Sequence, residues 1–362
     1  MKNKQPRDSW MLYGATGYTG TLIAEEAVRR GHHPVLAGRN AEKLRTLADR
    51  LELEWVAFSL EDERALLLAT ESVSLMLHAA GPFTKTCAPM MDACLTSKTH
   101  YLDISNEISV LQAAQTRYRI AEKNAVSIIP GVGFGTVACN SLARHVCDQV
   151  CDPVTLEIAI APYLAQGSAG AAKSTLETIA GGGYVRRNGT LVKVPFGSGA
   201  KRIRFSDGGH NMLPVPSGDL EAAHLATGIA NITVYMTSPL QPNLARLLLP
   251  IAQRLLSWDA LREQIARQVE RHRASNVASN VKKTVDANQR SWLWAHATDR
   301  YGNGTEAWLE TGEGYAFTAS ASVHAVEWVL SHRPVGANSP AAVFGSEFVL
   351  QIAGVRRHGS LT

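Results

Sequence analysis

A glycine-rich segment near the start of the chain has the spacing of a dinucleotide-binding turn. It comprises Gly14, Ala15, Thr16, Gly17, Tyr18, Thr19 and Gly20. The segment follows a short apolar run and opens a helical pattern that continues to Gly31. The first glycine permits a tight turn, the second lets the backbone approach a pyrophosphate, and the third lets the helix pack close to the strand. Free N–H groups at the helix N-terminus would bind the phosphates.

Basic residues follow the second apolar run, where NAD-binding enzymes carry an acidic residue for the ribose 2′-hydroxyl. The sequence there is Ala37-Gly38-Arg39-Asn40, without a carboxylate. Arg39 can make charge-assisted hydrogen bonds to a 2′-phosphate, each worth roughly 1.5–3 kcal/mol, or about ten- to hundredfold in affinity. Lys43, one helical turn later, can add to the same pocket. The alternative is a solvated arginine in a loop, but the missing acid favours NADP(H) as the cofactor.

Small residues end the fourth apolar run, at the edge of the sheet where ligands of open α/β folds bind. Ala80 and Gly81 are expected to pass beneath the ribose on the nicotinamide side, and Phe83 to border the ring. The alternative is that Gly81-Pro82 serves only the shape of the turn.

Candidates for a proton donor lie on and after the fifth run. Tyr101 and Asp103 are the predicted catalytic residues, with His100, Ser105 and Glu107 beside them. An acid at a strand end often caps the next helix instead, and Glu107 is also placed to interact with a helix dipole. Both interpretations stay open at this point.

Short apolar runs alternate with amphipathic stretches from Met11 to Val150, which is typical of βαβ units and a parallel sheet. The predicted strands are Trp10–Tyr13, Pro34–Ala37, Trp55–Phe58, Val73–Ala79, His100–Ile104 and Val126–Ile129. Asn40 is expected to cap a helix whose apolar face contains Leu44, Leu47, Ala48 and Leu51. Further helices are predicted from Glu107 to about Lys123 and from Thr136 to Val150.

The second half of the chain has a different pattern. TLEIAIAPY alternates as a half-buried antiparallel strand does, and turn sequences at Arg187–Thr190, Asp207–Gly209 and Arg300–Gly304 predict hairpins. Helices are predicted from Asn243 to about His272 and from Tyr315 to Leu330. The predicted fold class is α/β, with a Rossmann-like doubly wound parallel sheet in residues 1–150 and an α+β domain of mixed or antiparallel sheet in residues 151–314.

The first of these helices contains LARLLLPIAQRLL, in which apolar residues and arginines recur at helical spacing. Packing on a sheet is the favoured interpretation, and Pro250 would kink one continuous helix. A membrane-surface helix is an alternative. A further hypothesis is self-association through the helices between Leu240 and Val269.

Composition excludes several classes of protein. The 362 residues are 45% hydrophobic and 19% charged, with a net charge of +4 that is not gathered into basic blocks, so nucleic acid is not an expected partner. No apolar run reaches the length of a membrane span, and we expect a cytoplasmic protein. The 5 cysteines show no CxxC pair, and the 12 histidines show no ligand spacing, so no metal site is predicted.

Taken together, GATGYTG, AGRN, AAGPF, THYLDISNE, YVRRNGTLV and VPSGDLEAAHLATGIANITVYM resemble the saccharopine dehydrogenase-like bacterial oxidoreductases. That group includes the trans-acting enoyl reductases of lipid and polyketide assembly. The resemblance implies that residues 315–362, with GANSPAAVFGSEFVLQI, return to the cofactor domain. It also implies an NADP-dependent oxidoreductase and a homodimer.

Two positions depart from the pattern of that group. Relatives usually contain GFDxxPxD where this chain has Gly133 to Asn140, and Asn106 replaces the glycine usual before Glu107. We therefore expect an altered substrate pocket in the cleft between domains. The leading hypothesis is an NADPH-dependent reductase acting on a C=C, C=N or C=O bond of a small or carrier-bound metabolite. The alternative is an NADP(H)-binding redox sensor or scaffold without turnover.

Overall fold

The computed structural model describes residues 9–163, 181–256, 258 and 289–359. The chain forms two compact units. The first unit extends to His145 and also contains Glu221–Gly228 and Tyr315–Val355. The second unit contains Val146–Leu220, Ile229–Gly314 and the residues from Arg356 onward. In the described part of the chain, no helix is long and apolar enough to cross a bilayer.

The first unit is built on a seven-stranded sheet. Its strands are β1 (Trp10–Tyr13), β2 (Val35–Gly38), β3 (Trp55–Ala57), β4 (Leu75–His78), β5 (His100–Asp103), β6 (Ser127–Ile129) and β15 (Gly336–Ala337). Their order is β15-β6-β5-β4-β1-β2-β3, and neighbouring strands are parallel. The order reverses between β1 and β4, and such a reversal is where open sheets bind ligands. The predicted Rossmann-like fold is confirmed.

Helices cover this sheet. They are α1 (Tyr18–Arg29), α2 (Ala41–Leu51), α3 (Glu63–Glu71), α4 (Phe83–Ser97), α5 (Ile108–Thr116), α6 (Tyr118–Lys123) and α7 (Phe134–Cys147). Asn40 caps α2 as predicted, since its side chain accepts a hydrogen bond from the Lys43 N–H at 2.9 Å. Because a side-chain cap satisfies an N–H that has no partner within the helix, the asparagine sets where α2 begins.

Two helix predictions in this unit were wrong in detail. The segment from Glu107 to Lys123 forms two helices that are separated at Arg117, whose backbone N–H bonds to the Ala114 carbonyl and ends α5. The helix predicted from Thr136 begins two residues earlier, at Phe134, and ends at Cys147. Apolar periodicity marks the buried face of a helix but not the residue at which its hydrogen bonding stops.

The second unit contains a nine-stranded sheet. Its strands are β7 (Thr155–Ala161), β8 (Gly183–Arg187), β9 (Thr190–Val194), β10 (Lys201–Phe205), β11 (Gly208–Pro214), β12 (Asn231–Thr237), β13 (Ser291–Thr298), β14 (Gly304–Thr311) and β16 (Arg356–His358). The main order is β10-β11-β12-β7-β13-β14-β16, and β8 pairs with β9 and β12. The three predicted turns each join a hairpin, namely β8–β9, β10–β11 and β13–β14.

Strand β7 differs from its prediction as a half-buried antiparallel strand. It pairs in parallel with β12 on one side and antiparallel with β13 on the other. Its last four residues, Ile158 to Ala161, are all buried. The strand lies inside the sheet and is covered on both faces in this half, so the alternation in its sequence is confined to its start.

The remaining helices are α8 (Asp219–Thr227), α9 (Pro242–Leu256), α10 (Gly314–His332) and α11 (Pro340–Phe344), with a 3-10 helix at Phe348–Gln351. Helix α8 was not predicted. Helix α9 passes through Pro250, and most of the predicted continuation to His272 lies outside the described residues. After α10, β15 pairs with β6 in the first sheet, whereas β16 pairs with β14 in the second.

Candidate functional site

The glycine-rich turn is shaped by close backbone approaches. Gly14 has a φ of +89°, and a Cβ there would lie 2.8 Å from Ala79 and Ala80 backbone atoms. A Cβ on Gly20 would lie 2.1 Å from the Gly14 carbonyl oxygen. The Gly14 N–H also donates to the Ala37 carbonyl of β2 at 2.8 Å. The turn therefore requires glycine at its first and last positions, where the fold leaves no room for a side chain.

The middle of the turn presents the start of α1. Gly17 is the N-cap residue and contributes no side-chain hydrogen bond. The first N–H groups of a helix lack acceptors within the helix, so the start of α1 can donate to phosphate oxygens. The Thr21 hydroxyl donates to the Ala15 carbonyl at 3.2 Å and steadies the loop. Tyr18 packs edge-on against Tyr315, with ring centroids 4.9 Å apart.

Two cations follow β2, one in the connection to α2 and one in the first turn of α2. Arg39 and Lys43 are exposed. Burial raises the pKa of Tyr13, and the nearby Arg39 guanidinium acts in the opposite direction. Within the described ranges, no carboxylate forms an ion pair with Arg39 or Lys43. Their charges are thus available to an anion.

A depression of about 440 Å³ joins the glycine-rich turn to α2. It is lined by Thr16, Thr21, Asn40, Glu42, Lys43, Thr46, Leu47 and Arg50. Thr16, Asn40 and Lys43 were predicted to bind the cofactor, whereas Thr46, Leu47 and Arg50 of α2 were not. These three residues lie three, four and seven positions after Lys43, so they share one helical face with it, and this spacing could have revealed them.

The end of β4 lies beside this turn. Gly81 and Pro82 are exposed, and Ala80 is partly exposed. The Thr86 hydroxyl donates to the Ala80 carbonyl at 2.8 Å, and Phe83 packs edge-on against His78. Burial lowers the pKa of His78 to about 3, so this histidine is neutral at physiological pH. Ala80 and Gly81 have no bulky side chain and leave space along the edge of the sheet.

The end of β5 holds Tyr101 and Asp103 in a buried network. The Tyr101 hydroxyl donates to Asp103 Oδ2 at 2.8 Å, while the Gly131 N–H and the Ser105 N–H donate to Oδ1 at 2.9 and 2.8 Å. The Ser105 hydroxyl and the Cys87 thiol also donate to this carboxylate. Both side chains are fully buried, and burial raises the pKa of Tyr101.

The burial and hydrogen bonds of Tyr101 and Asp103 bear on the catalytic role predicted for them. A proton donor must reach the substrate within hydrogen-bond distance. Here the Asp103 carboxylate instead ties β5 to the turn that follows β6. The N-cap of α5 is Glu107, so Asp103 does not cap that helix either. The catalytic role stays a prediction, and the contacts favour a structural one.

Glu107 is the other carboxyl group that sequence analysis noted near this edge. It is partly exposed, and its Oε2 accepts a hydrogen bond from the Asn106 N–H at 2.8 Å. Burial is the main cause that raises its pKa, and the charge of Asp103 adds to the effect. Glu107 therefore combines access to solvent with a greater tendency to hold a proton than an ordinary glutamate.

Part of the chain is similar to a known family of domains. Residues 10–126 match the family model for the saccharopine dehydrogenase NADP binding domain. The predicted resemblance is confirmed, and the matched family model supports NADP(H) as the cofactor of this region.

Curated relatives match a limited part of the chain. A trans-acting enoyl reductase from Mycobacterium ulcerans is 26% identical over 168 residues, covering 44% of this chain and 40% of the relative. A saccharopine dehydrogenase-like oxidoreductase from Homo sapiens is 26% identical over 148 residues, covering 35% and 34%. The matched region thus spans well under half the length of these relatives.

Solved structures match the whole fold. Saccharopine dehydrogenase (L-Glu forming) from Saccharomyces cerevisiae aligns with a TM-score of 0.65 at 11% identity, covering 95% of this chain and 96% of that one. Homospermidine synthase from Legionella pneumophila, solved with NAD, also aligns with a TM-score of 0.65, at 9% identity and with 98% and 92% coverage. At these identities the likeness concerns the fold alone.

The two departures from the family pattern meet in the first unit. A Cβ on Gly135 would lie 2.8 Å from the Asn106 side-chain nitrogen, and the Thr136 hydroxyl donates to Asn106 Oδ1 at 3.3 Å. Asn106 thus occupies space beside Gly135, where the family pattern has an aspartate. The side chain of Asn106, after β5, therefore lies beside Gly135 in the first turn of α7. The sequence contained both changes, but it did not show that they touch.

The second unit has a cavity of its own, of about 450 Å³. Its lining consists of Lys201, Arg202, Ile203, Arg204, Trp294, Glu306, Trp308 and Gly359. Lys201 Nζ lies 2.7 Å from Glu157 Oε1 and 4.7 Å from the centre of the Tyr235 ring. His210 pairs with Asp207 at 2.9 Å. The described residues include no cluster of metal-ligating side chains.

Proposed function

We propose that the chain is an NADPH-dependent reductase that transfers a hydride to a C=C, C=N or C=O bond of a small or carrier-bound metabolite. The observation that carries the proposal is the pair of cations that follow β2, beside the glycine-rich turn. The names of the curated relatives, which include enoyl reductases and oxidoreductases, support a redox reaction. A cytoplasmic location and a homodimer stay predictions.

The cofactor residues follow from the contacts around the turn. We propose that the start of α1 binds the pyrophosphate and that Arg39 and Lys43 bind the 2′-phosphate. Asn40 contributes through the cap that holds the start of α2, and the exposed Gly81 and Pro82, with Ala80 and Phe83, border the nicotinamide half. Glu42 is the one acidic residue in the lining of the depression, where Lys43 and Arg50 carry positive charge.

For the proton donor we propose Glu107 in place of Tyr101 and Asp103. When bound, NADPH supplies the hydride to one atom of the double bond. The Glu107 carboxyl gives its proton to the other atom, and the carboxylate recovers a proton from water. A raised pKa suits this role because more of the acid form is present near neutral pH. Glu107 follows β5, the strand next to β4, whose end we assign to the nicotinamide half.

The first test is calorimetric titration of NADPH and NADH into the wild type and the Arg39→Ala variant. We expect the variant to bind NADPH about ten- to hundredfold more weakly, because it loses charge-assisted hydrogen bonds worth roughly 1.5–3 kcal/mol. NADH binding should not change. Arg45→Ala is the matched control, since Arg45 is an exposed arginine of α2 outside the depression. An equal loss for NADPH and NADH would contradict the assignment of the 2′-phosphate.

The alternative function is a redox sensor or scaffold that binds NADP(H) without turnover. The altered segment from Gly133 to Asn140, at the start of α7, favours it, because the acids and the proline of the family pattern are missing there. Single-turnover experiments separate the two functions. If NADPH bound to the protein reduces a supplied enone, imine or ketone, the sensor hypothesis fails. If NADPH binds tightly and no class of acceptor is reduced, the reductase proposal fails.

A further inference from the structure

Strand β10 lies at one end of the strand order in the second unit, and in the described part of the chain it pairs with β11 alone. The two strands form a hairpin in which Phe205 pairs with Gly208 across a two-residue turn. In such a hairpin, alternate residues direct their main-chain groups toward the partner strand and away from it. Phe205 and Ile203 therefore bond to β11, whereas the N–H and C=O groups of Arg202 and Arg204 form the outer edge of β10.

A contact from another strand shows the same direction. The Trp308 indole N–H, from β14, donates to the Arg204 carbonyl at 3.0 Å, so this carbonyl points away from β11. Among the described residues, no other hydrogen bond reaches the outer main-chain groups of Arg202 and Arg204. Both N–H groups and the Arg202 carbonyl are thus available at this edge. Such groups are complementary to another extended chain.

The cavity of about 450 Å³ in the second unit lies along the outer edge. Its lining includes every residue from Lys201 to Arg204. Because successive side chains of a strand point to opposite faces, a cavity that touches consecutive residues follows the edge of the strand and not one face. Trp294, Glu306 and Trp308 complete the wall. The outer main-chain groups therefore open into a space that a ligand can enter.

The side chains of β10 indicate which extended chain fits. Ile203 is buried in a cluster with Trp294 and Trp308, whereas Arg202 and Arg204 are exposed on the opposite face. Within the described ranges, no carboxylate forms an ion pair with either arginine. A strand laid against β10 places alternate side chains beside the arginines and the others beside the apolar cluster. Acidic residues fit the first set, and apolar residues fit the second.

The other charges of the cavity do not cancel the two arginines. The lining holds three basic side chains and one acidic side chain. Lys201 Nζ is paired with Glu157 at 2.7 Å, and Glu306 accepts a hydrogen bond from the Trp294 indole at 2.8 Å. The arginines thus outnumber the one carboxylate of the lining. A second copy of β10, paired antiparallel, would place arginines opposite arginines, and like charges in that position are destabilising.

We propose that the outer edge of β10 binds an extended acidic segment of another protein, which adds an antiparallel strand to the sheet. The N–H groups of Arg202 and Arg204 donate to carbonyls of the segment, and the Arg202 carbonyl accepts from one of its N–H groups. Acidic side chains of the segment pair with the two arginines, and apolar side chains contact Trp308. In this mode of recognition, main-chain hydrogen bonds provide affinity and alternate side chains provide specificity. The inference is independent of the proposed reductase activity.

The test is fluorescence anisotropy of a short, labelled and capped peptide in which valine and glutamate alternate, titrated with the full chain. We expect saturable binding that weakens at high salt, and no binding of the same peptide with lysine in place of glutamate. In the proposed pairing, the glutamates lie opposite the arginines, so their amides face β10. N-methylation of the glutamate amides should weaken binding about tenfold or more. N-methylation of the valine amides, which face away, is the matched control and should leave the affinity unchanged.

The variant Arg204→Glu tests the charge of the edge. It should bind the unmodified peptide about tenfold more weakly or less, because the substitution replaces an attraction by a repulsion. Lys193→Glu is the control, since Lys193 is an exposed cation of β9 in the same sheet and lies outside the lining of the cavity. Thermal unfolding verifies that both variants are folded.

Several outcomes would overturn the proposal. Absence of binding to the valine–glutamate peptide is one, and equal binding of the two N-methylated peptides is another, since it would reduce the interaction to charge alone. Equal binding by Arg204→Glu and the wild type would also contradict it. Light scattering on the protein alone covers the other occupant. A wild-type dimer that becomes a monomer in Arg204→Glu would assign the edge to a second copy and would likewise overturn the proposal.

Discussion

The ends of β2 and β5 lie in the first unit, and both regions carry polar residues at the carboxyl edge of its sheet. After β2, Arg39 and Lys43 are exposed, and the described residues provide them with no ion pair. At the end of β5, both oxygens of the Asp103 carboxylate accept hydrogen bonds from buried donors. Position at this edge therefore does not identify a ligand-binding residue. The side chain must also be exposed and must not be held by hydrogen bonds to buried groups of the protein.

The largest effect that tests this comparison is on stability. In Asp103→Ala, the buried donors from Tyr101, Ser105 and Gly131 lose their acceptor. We expect the free energy of unfolding to fall by about 4 kcal/mol, as when one partner of a buried charged network is removed. Urea denaturation measures it. Asp92→Ala is the control, because Asp92 pairs with Arg117 at the surface and should cost less than about 1 kcal/mol. A small loss of stability in Asp103→Ala together with lost turnover would restore the catalytic interpretation.

The next largest effect is on the rate of hydride transfer, from substitution of Glu107, which lies close to Asp103 but is partly exposed. Glu107→Gln should slow hydride transfer about a hundredfold, because a general acid contributes at least that much, and NADPH binding should not change. Single-turnover absorbance measures the rate. Glu63→Gln, at an exposed glutamate of α3, is the control.

The pH dependence gives Glu107 a signature of its own. Since burial raises its pKa, the acid form persists to higher pH than for an ordinary glutamate. The wild-type rate should fall as pH rises through that raised pKa, whereas the Glu107→Gln rate should not follow this titration. An unchanged pH profile in the variant would exclude Glu107 as the proton donor.

The smallest expected effect is on NADPH binding, from substitution of the exposed Lys43. Lys43→Ala should weaken NADPH binding about threefold, within the range of an exposed ion pair, and leave NADH binding unchanged. The difference should vanish at high salt, because exposed charges are screened. A loss as large as that of Arg39→Ala would show that the 2′-phosphate site is more enclosed than the structure indicates.

The sequence predicted more of the first unit than of the second. Six strands of the parallel sheet, the cap at Asn40 and the glycine-rich turn are present as predicted, because each depends on residues close together in the chain. Helix α8 was missed, and β7 was predicted to be a half-buried antiparallel strand. Whether a strand is covered on both faces depends on distant partners, here β12 and β13.

The features of the candidate site also fall into those predicted from the sequence and those that only the fold shows. From the sequence alone came the glycine spacing, the missing acid after β2 and the family resemblance, all of which are properties of short segments. Only the tertiary structure decided that Asp103 is occupied by buried donors, that Asn106 and Gly135 share one space, and that the outer edge of β10 faces a cavity. The physical reason is that the burial and the hydrogen-bond partners of a side chain depend on residues far apart in the chain. The local sequence therefore shows which side chains have suitable chemistry, but not which of them remain accessible to a ligand.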